Sequence, residues 1–296
     1  MRTTTRAHLA VIGTNLFFAA NFSLIKIISP SLVKPFGLNV LRVGLSLLLF
    51  WGAWLGSNKK AGIKKKDIGR FLLCALTGVA LNQMLFLKGL TLTSTIHASL
   101  LMLVTPILVT LFALWVLKEN FSYNKALGLA LGIGGATFLV LQKEAGQEAS
   151  DYLWGDILII INAISYAVYF ILVKPLMKDY SPLHVTRWIF TLGLIMILPF
   201  AWTETVEIKW QLFEWQHFLS LGIIVLFGTF LAYFFNAYGI QHLGAGITGS
   251  YIYTQPVFAV IIAMIMLGER LTWEKLAAGL LICAGVFFVN YKKKLR

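Results

Sequence analysis

The sequence predicts an all-α membrane protein of ten transmembrane helices in two inverted five-helix repeats, and three observations carry that prediction. Apolar residues fill 58% of the 296 positions and charged residues 12%, with a mean hydropathy of +0.80; a soluble domain of this length needs far more polar surface. Apolar runs of about 20 residues, enough to cross a bilayer as a helix, recur from end to end with no gap wide enough for a soluble domain. The chain also repeats itself. A shift of 150 residues lays Gly89–Phe138 on Gly239–Phe288 and superimposes Pro106 on Pro256, Leu117 on Leu267, Glu119 on Glu269, Lys125 on Lys275 and Gly135 on Gly285.

The first run, 7–28, is long enough to span and has no clear small-residue cleavage site, so it reads as a retained helix rather than a cleavable signal. Further spans are expected at 36–55, 68–89, 94–117 and 123–141, and then at 153–173, 183–202, 217–239, 245–267 and 273–291. The polar connector 142–152, QKEAGQEASDY, separates a first repeat, 1–141, from a second, 153–296. Five helices per repeat is an odd number, so the second copy must enter the membrane upside down relative to the first. Fainter echoes agree: LNVLR ending at Arg42 is similar to LHVTR ending at Arg187, and Lys26 holds the place in the first helix that Lys174 holds in the sixth.

The formal charge of +13 would suggest nucleic acid in a soluble protein, but here the basic residues sit in short segments between apolar runs and act as topology signals. Arg2, Arg6, Lys59, Lys60, Lys64, Lys65, Lys66, Arg70, Lys118, Lys125, Lys174, Lys178 and the C-terminal lysines fall on the side of the N-terminus, and fewer than half as many fall opposite. Both termini are therefore expected in the cytoplasm, with the chain in the inner (plasma) membrane and no nucleic-acid partner. Cys74 and Cys283 have no neighbouring His or second Cys, which indicates neither a disulfide framework nor a metal site, and no cofactor motif is present.

Polar residues within the spans are the candidates for function. In the first helix Asn15, Ala19, Phe22 and Lys26 share a face, with Asn21 beside it; a cation ending a semi-polar stripe suits a carboxylate-bearing substrate, or else it snorkels to the interface. Arg42, one or two turns inside the second span, faces the same choice. Asn82 and Gln83 mark the third helix and His97 the fourth. Stripes of Asn162, Ser165, Tyr166 and Tyr169, of Thr229, Tyr233 and Asn236, and of Thr248, Tyr251 and Gln255 complete the set. Each stripe alone could be glue between helices; together they are read as walls of one hydrated substrate cavity. Pro106 and Pro256 are expected to bend their helices, as working bends or as fixed kinks. Glu119 and Glu269 are expected to cap the helices that follow them. Gly128, Gly132, Gly135, Gly279 and Gly285 serve close packing or a dimer face, leaving monomer and homodimer both open. Asp156, at the edge of the sixth span, is the acid nearest a span centre, so proton coupling and facilitated diffusion also stay open. No P-loop and no converging catalytic set is visible, which argues against an enzyme; a rival intramembrane enzyme would show activity in detergent.

The stretch QHLGAGITGSYIYTQPVFAVIIAMIMLGERLTWEKLAAGLLICAGVFFV and its weaker copy LTLTSTIHASLLMLVTPILVTLFALWVLKENFSYNKALGLALGIGGATFLV resemble the EamA repeat of the drug/metabolite transporter superfamily. The opening ANFSLIK and the later LRVGLSLLLF are similar to the first two helices of that repeat. The resemblance implies ten helices, cytoplasmic termini and movement of small metabolites through a central cavity. It names no substrate. The expectation is an alternating-access exporter of small amphipathic metabolites, amino acids first, with sugars, nucleobases or nucleotide-sugar-like compounds as the alternative. The first copy departs from the second in the connector, with Lys118-Glu119-Asn120 where the second has Gly268-Glu269-Arg270.

Overall fold

The computed structural model describes residues 3–56, 62–117, 123–141 and 149–290, and among these helices account for nearly all of the backbone and no strand occurs. The rods, in chain order, are α1 (Thr3–Ile28), α2 (Pro35–Leu55), α3 (Lys65–Leu92), α4 (segments Thr95–Leu101, Met102–Val104 and Thr105–Leu117), α5 (Tyr123–Val140), α6 (Ala149–Asp179), α7 (Pro182–Val206), α8 (Trp215–Leu243), α9 (Ala245–Met266) and α10 (Trp273–Asn290). Seven of them, α1, α2, α3, α6, α7, α8 and α9, are long and apolar enough to cross a bilayer. Lys118, Glu119 and Asn120 and most of the 142–152 connector lie outside the described residues.

Local chemistry sets the helix starts. Pro35 and Pro182 open α2 and α7, where a fixed φ fits and no N–H is needed. Ser94 and Ser181 cap α4 and α7 by accepting from the backbone N–H of His97 and His184. The α8–α9 joint is a single residue, Gly244, at φ 85°, a conformation that costs a side-chain-bearing residue far more.

Two pairs of helices are distorted, and the distortions are duplicated. A π turn interrupts α3 at Leu76–Ala80 and α8 at Leu226–Leu231. A 3₁₀ turn interrupts α4 at Met102–Val104 and α9 at Tyr251–Tyr253. The 150-residue shift carries one π turn onto the other and brings the 3₁₀ turns within a residue. Pro106 and Pro256 explain the second pair: each proline ring clashes with the carbonyl four residues back, on Met102 and Ile252, and both carbonyls lie in the tightened turn. The prolines thus sit just inside the α segments that resume after a break, not in the middle of a smoothly bent helix. Each π turn carries a glycine that admits a side chain from another helix. A Cβ on Gly78 would lie 2.4 Å from the Tyr169 ring of α6, and one on Gly228 would lie 2.6 Å from Asn21 Oδ1 of α1.

The helices pair across the two halves. The most extensive contacts are α5 with α10, α2 with α7, α3 with α6 and α1 with α8, followed by α1 with α9 and α4 with α6. Exchanging each helix for the one five places along maps this set onto itself: α3–α6 becomes α8–α1, α4–α6 becomes α9–α1, and the other two pairs map onto themselves. Consequently α1 lies in the second half and α6 in the first, and the interior of the bundle belongs to both.

Connectors tie the halves at both ends. At one end Lys34 Nζ donates to Glu207 at 2.6 Å, a bond that raises the Lys34 pKa. Beside it the Glu204 carboxylate accepts from the backbone N–H groups of Phe36 and Gly37 at 2.6 and 3.2 Å. Glu269 accepts from Thr95 N–H and Ile96 N–H, both at 2.8 Å. Glu269 was expected to cap its own following helix; it instead reaches the positive end of α4, because the α9–α10 connector lies against the α3–α4 connector. At the opposite end the Tyr180 hydroxyl donates to Asp67 at 2.8 Å and accepts from Lys64 N–H at 3.1 Å.

The α5–α10 seam is closed by glycines, where a Cβ on Gly285 would lie 2.5 Å from Gly132 N and 2.6 Å from Gly128 O. Backbone cannot yield as a side chain can, so Gly285→Leu should lower unfolding stability in detergent by about 1–3 kcal/mol. Gly134→Ala, where a Cβ meets nothing within 4 Å, should leave the thermal midpoint unchanged. Equal midpoints for the two variants would show that the seam is not tight.

Candidate functional site

A half-open cavity, with about 450 Å³ of non-atom space that includes its open mouth, lies between the halves. Its walls are Phe18, Asn21 and Phe22 of α1, Asn82, Gln83 and Phe86 of α3, Arg42 of α2, Met102 of α4, Asn162 and Tyr166 of α6, Tyr233 of α8 and Gln255 of α9. Phe22 and Met102 belong to one of the two apolar clusters of the interior, Tyr166 and Tyr233 to the other. The polar walls therefore stand where two apolar cores meet.

Several polar groups here are spent on holding the helices together. Asn82 and Asn162 exchange bonds, each side-chain amide donating to the other's backbone carbonyl, at 3.3 and 2.6 Å. The corresponding tie in the other half is made by Thr14, whose hydroxyl donates to Ala232 O at 3.2 Å. Gln83 Nε2 donates to the Tyr233 hydroxyl at 3.1 Å, and Asn236 Nδ2 donates to the Tyr166 hydroxyl at 2.9 Å.

Other polar atoms in the same walls are buried with no partner: Asn21 Oδ1, Gln83 Oε1, Asn162 Oδ1, and Nε and Nη1 of Arg42. Burying a polar group without a hydrogen bond is costly, so these atoms mark where a ligand can repay its own desolvation. The cavity thus offers acceptors, a cationic donor and aromatic surface within one small volume.

The sequence-predicted residues divide. Asn21, Asn82, Gln83, Tyr166, Tyr233 and Gln255 are brought together in the cavity wall. Asn236 stands behind it, orienting Tyr166. Asn15 donates to Val11 O of its own helix at 2.8 Å. Lys26 lies beyond the cavity toward the end of α1, within electrostatic reach of Glu269. Tyr251 bonds His8 Nδ1 at 2.8 Å.

His97 also stands apart. It is fully buried, with Nε2 2.9 Å from Asp156 Oδ2, a close ion-pair contact that falls short of a directed hydrogen bond. Thr93 donates to the other carboxylate oxygen at 2.9 Å. Arg42, for which a cavity, a partner or snorkelling were all open, is 2% exposed and lines the cavity. Phe18, Phe86 and Met102 carry no sequence signal that separates them from lipid-facing residues.

Removing the buried carboxylate leaves His97 and the Thr93 hydroxyl without their partner. Asp156→Ala should cost about 1–3 kcal/mol of stability, read as a lowered unfolding midpoint of the detergent-purified chain. An unshifted midpoint would show that His97 and Asp156 do not depend on one another.

Comparison with known proteins bears on this geometry. A model of the EamA-like transporter family matches residues 5–141 and again 153–291. The uncharacterized transporter YetK of Bacillus subtilis (strain 168) is 26% identical over 236 residues, covering 78% of this chain and 71% of its own. An uncharacterized transporter of Archaeoglobus fulgidus is 26% identical over 294 residues, covering 98% of this chain and 99% of its own. A solved crystal structure, 15% identical, superimposes with a TM-score of 0.64 over 95% of this chain and 96% of that one, a likeness of fold.

Proposed function

Because the chain belongs to the EamA-like transporter family, we propose that it is a secondary transporter moving small amphipathic metabolites, amino acids first among them, across the inner membrane by alternating access. The observation that carries this reading is the cavity: its walls come from both halves, and they set unpaired polar atoms beside aromatic rings. A site at the junction of two similar halves can face either side when one half rocks against the other. In this reading all ten rods span, repeats 1–141 and 153–296 are inverted, both termini are cytoplasmic, and the direction is export, as the family resemblance implies. Catalysis forms no part of it.

The ties at the connector ends are what rocking would make and break. Glu269 on α4 and Glu204 on α2 each join a helix start in the first half to a residue of the second half. Their opening admits substrate from one side while the ties around Tyr180 hold the other.

Efflux from proteoliposomes loaded with labelled amino acids, nucleobases and sugars, with and without an inward proton gradient, tests the reading. Loss of amino acids is expected; selective loss of sugars or nucleobases would move the substrate to the alternative class, and retention of everything would sink the transporter reading. Gradient dependence separates proton coupling from facilitated diffusion. In the same assay Gln83→Ala should lower flux roughly five- to tenfold, the scale of about one lost hydrogen bond, at unchanged membrane abundance. Wild-type flux in that variant would make Gln83 packing glue.

Topology is tested separately. A reporter fused after Arg296 should read as cytoplasmic, and a reading on the far side would overturn the inverted-repeat arrangement.

A further inference from the structure

We propose that Arg42 is the carboxylate-binding residue of the cavity, so that the chain selects substrates in which a single carboxylate is joined to an apolar body. This rests on the transporter reading and names the chemical class it leaves open.

Arg42 lies about 10 Å along α2 from its first residue, by the helical rise, and only 2% of it is exposed. The ion pairs among the described residues, Lys34 with Glu207 and His97 with Asp156, do not involve it. Its Nε and Nη1 meet no acceptor. A guanidinium held in a membrane interior without a counter-charge is strongly disfavoured and needs a partner that arrives from outside.

The duplicated copy of this residue shows what a purely structural arginine looks like here. LNVLR and LHVTR place Arg42 and Arg187 at corresponding points of α2 and α7. The Arg187 guanidinium lies 4.5, 4.0 and 5.4 Å from the ring centroids of Trp51, Trp54 and Trp188, and 3.1 Å from His184 Nδ1. Those aromatic faces neutralise it by cation–π attraction. Arg42 has no such cage and faces the cavity. The halves therefore share the residue and differ in what answers its charge.

The rest of the cavity fixes the substrate class. Arg42 is the one ionisable cation among the lining residues, which matches a monoanion; a phosphate dianion calls for more. Its planar fork suits a carboxylate. Phe18, Phe22 and Phe86 provide the surface for an apolar body. Gln83 Oε1, without a donor, is an acceptor for an ammonium, so the full complement is an apolar α-amino acid. The Tyr233 hydroxyl, which accepts from Gln83, keeps its own proton for the carboxylate.

The test is binding of labelled L-amino acids and of their neutral carboxamides to the detergent-purified full chain. Wild type should bind apolar amino acids such as phenylalanine or leucine at least about tenfold more tightly than the carboxamides, the scale of a charge-assisted bond. Arg42→Gln should bring acid and amide to the same level, with Arg42→Lys between. Equal binding of acid and amide by wild type, no binding of either, or undiminished acid binding by Arg42→Gln would overturn the proposal. Thermal unfolding provides a readout that a structural role would move the other way: Arg42→Gln removes an uncompensated buried charge and should not lower the midpoint, whereas Arg187→Gln should. A lowered midpoint for Arg42→Gln with unaltered acid preference would make Arg42 structural. Flux of neutral solutes alone in proteoliposomes would sink the carboxylate subsite and leave the transporter reading standing; acid-over-amide binding without any flux would do the reverse.

Discussion

A backbone carbonyl released inside a membrane has no water to turn to, and the interior of this protein is organised around how each such group is answered. A π turn adds a residue to the helix and leaves a carbonyl without its usual partner. In α3 the released Thr77 carbonyl accepts from Ser165 of α6 at 2.8 Å, and in α8 the Val225 carbonyl accepts from Ser46 of α2 at 3.1 Å. Thr229 reaches back five residues to Ile224 O at 2.9 Å. Ser165 and Ser46 thus come from helices of the opposite half, and their bonds join the halves at the two π turns. Distortion, inter-half adhesion and the position of the site are consequences of one constraint.

Charge obeys the same rule more strictly, because an unpaired ion costs more than an unpaired amide. Glu204 and Glu269 are placed on the exposed N–H groups of helix starts, where the dipole favours an anion. His97 and Asp156 answer each other, and Arg187 is answered by tryptophan faces. Arg42 differs from Arg187 in what its guanidinium faces: the cavity rather than tryptophan rings.

Much of this was legible in the residues. The repeat, the order of the helices and the glycine seam follow from self-similarity and spacing, which are local or periodic signals. Seven of the cavity residues, Asn162 among them, were also in reach, because Asn, Gln and Tyr inside apolar spans have few reasons to be there. What the sequence hides is partner choice across the fold. Glu269 is followed by its own helix, yet binds another whose start is brought against it by connector packing. LTGVA and LFGTFL carry no local mark of a π turn beyond a glycine beside a threonine; Tyr169 and Asn21, which pack against those glycines, come from other helices. Arg42 and Arg187 occupy near-identical pentapeptides, and only the tryptophans around one of them separate a caged cation from a bare one.

The same comparison bears on how symmetry and chemistry divide the work. Helix exchange preserves the pairing pattern of the principal helix pairs, but not that of every pair: α7 lies more fully against α3 than α2 does against α8. In the proposed alternating access, exchanging the arrangements of the two halves reverses the direction the junction faces. A substrate must nevertheless be gripped in one orientation throughout. A site as symmetric as the scaffold would offer two equal cations and two equal poses. Answering Arg187 with Trp51, Trp54 and Trp188 removes the second cation from play, so the cavity of a two-fold scaffold presents a single charged end.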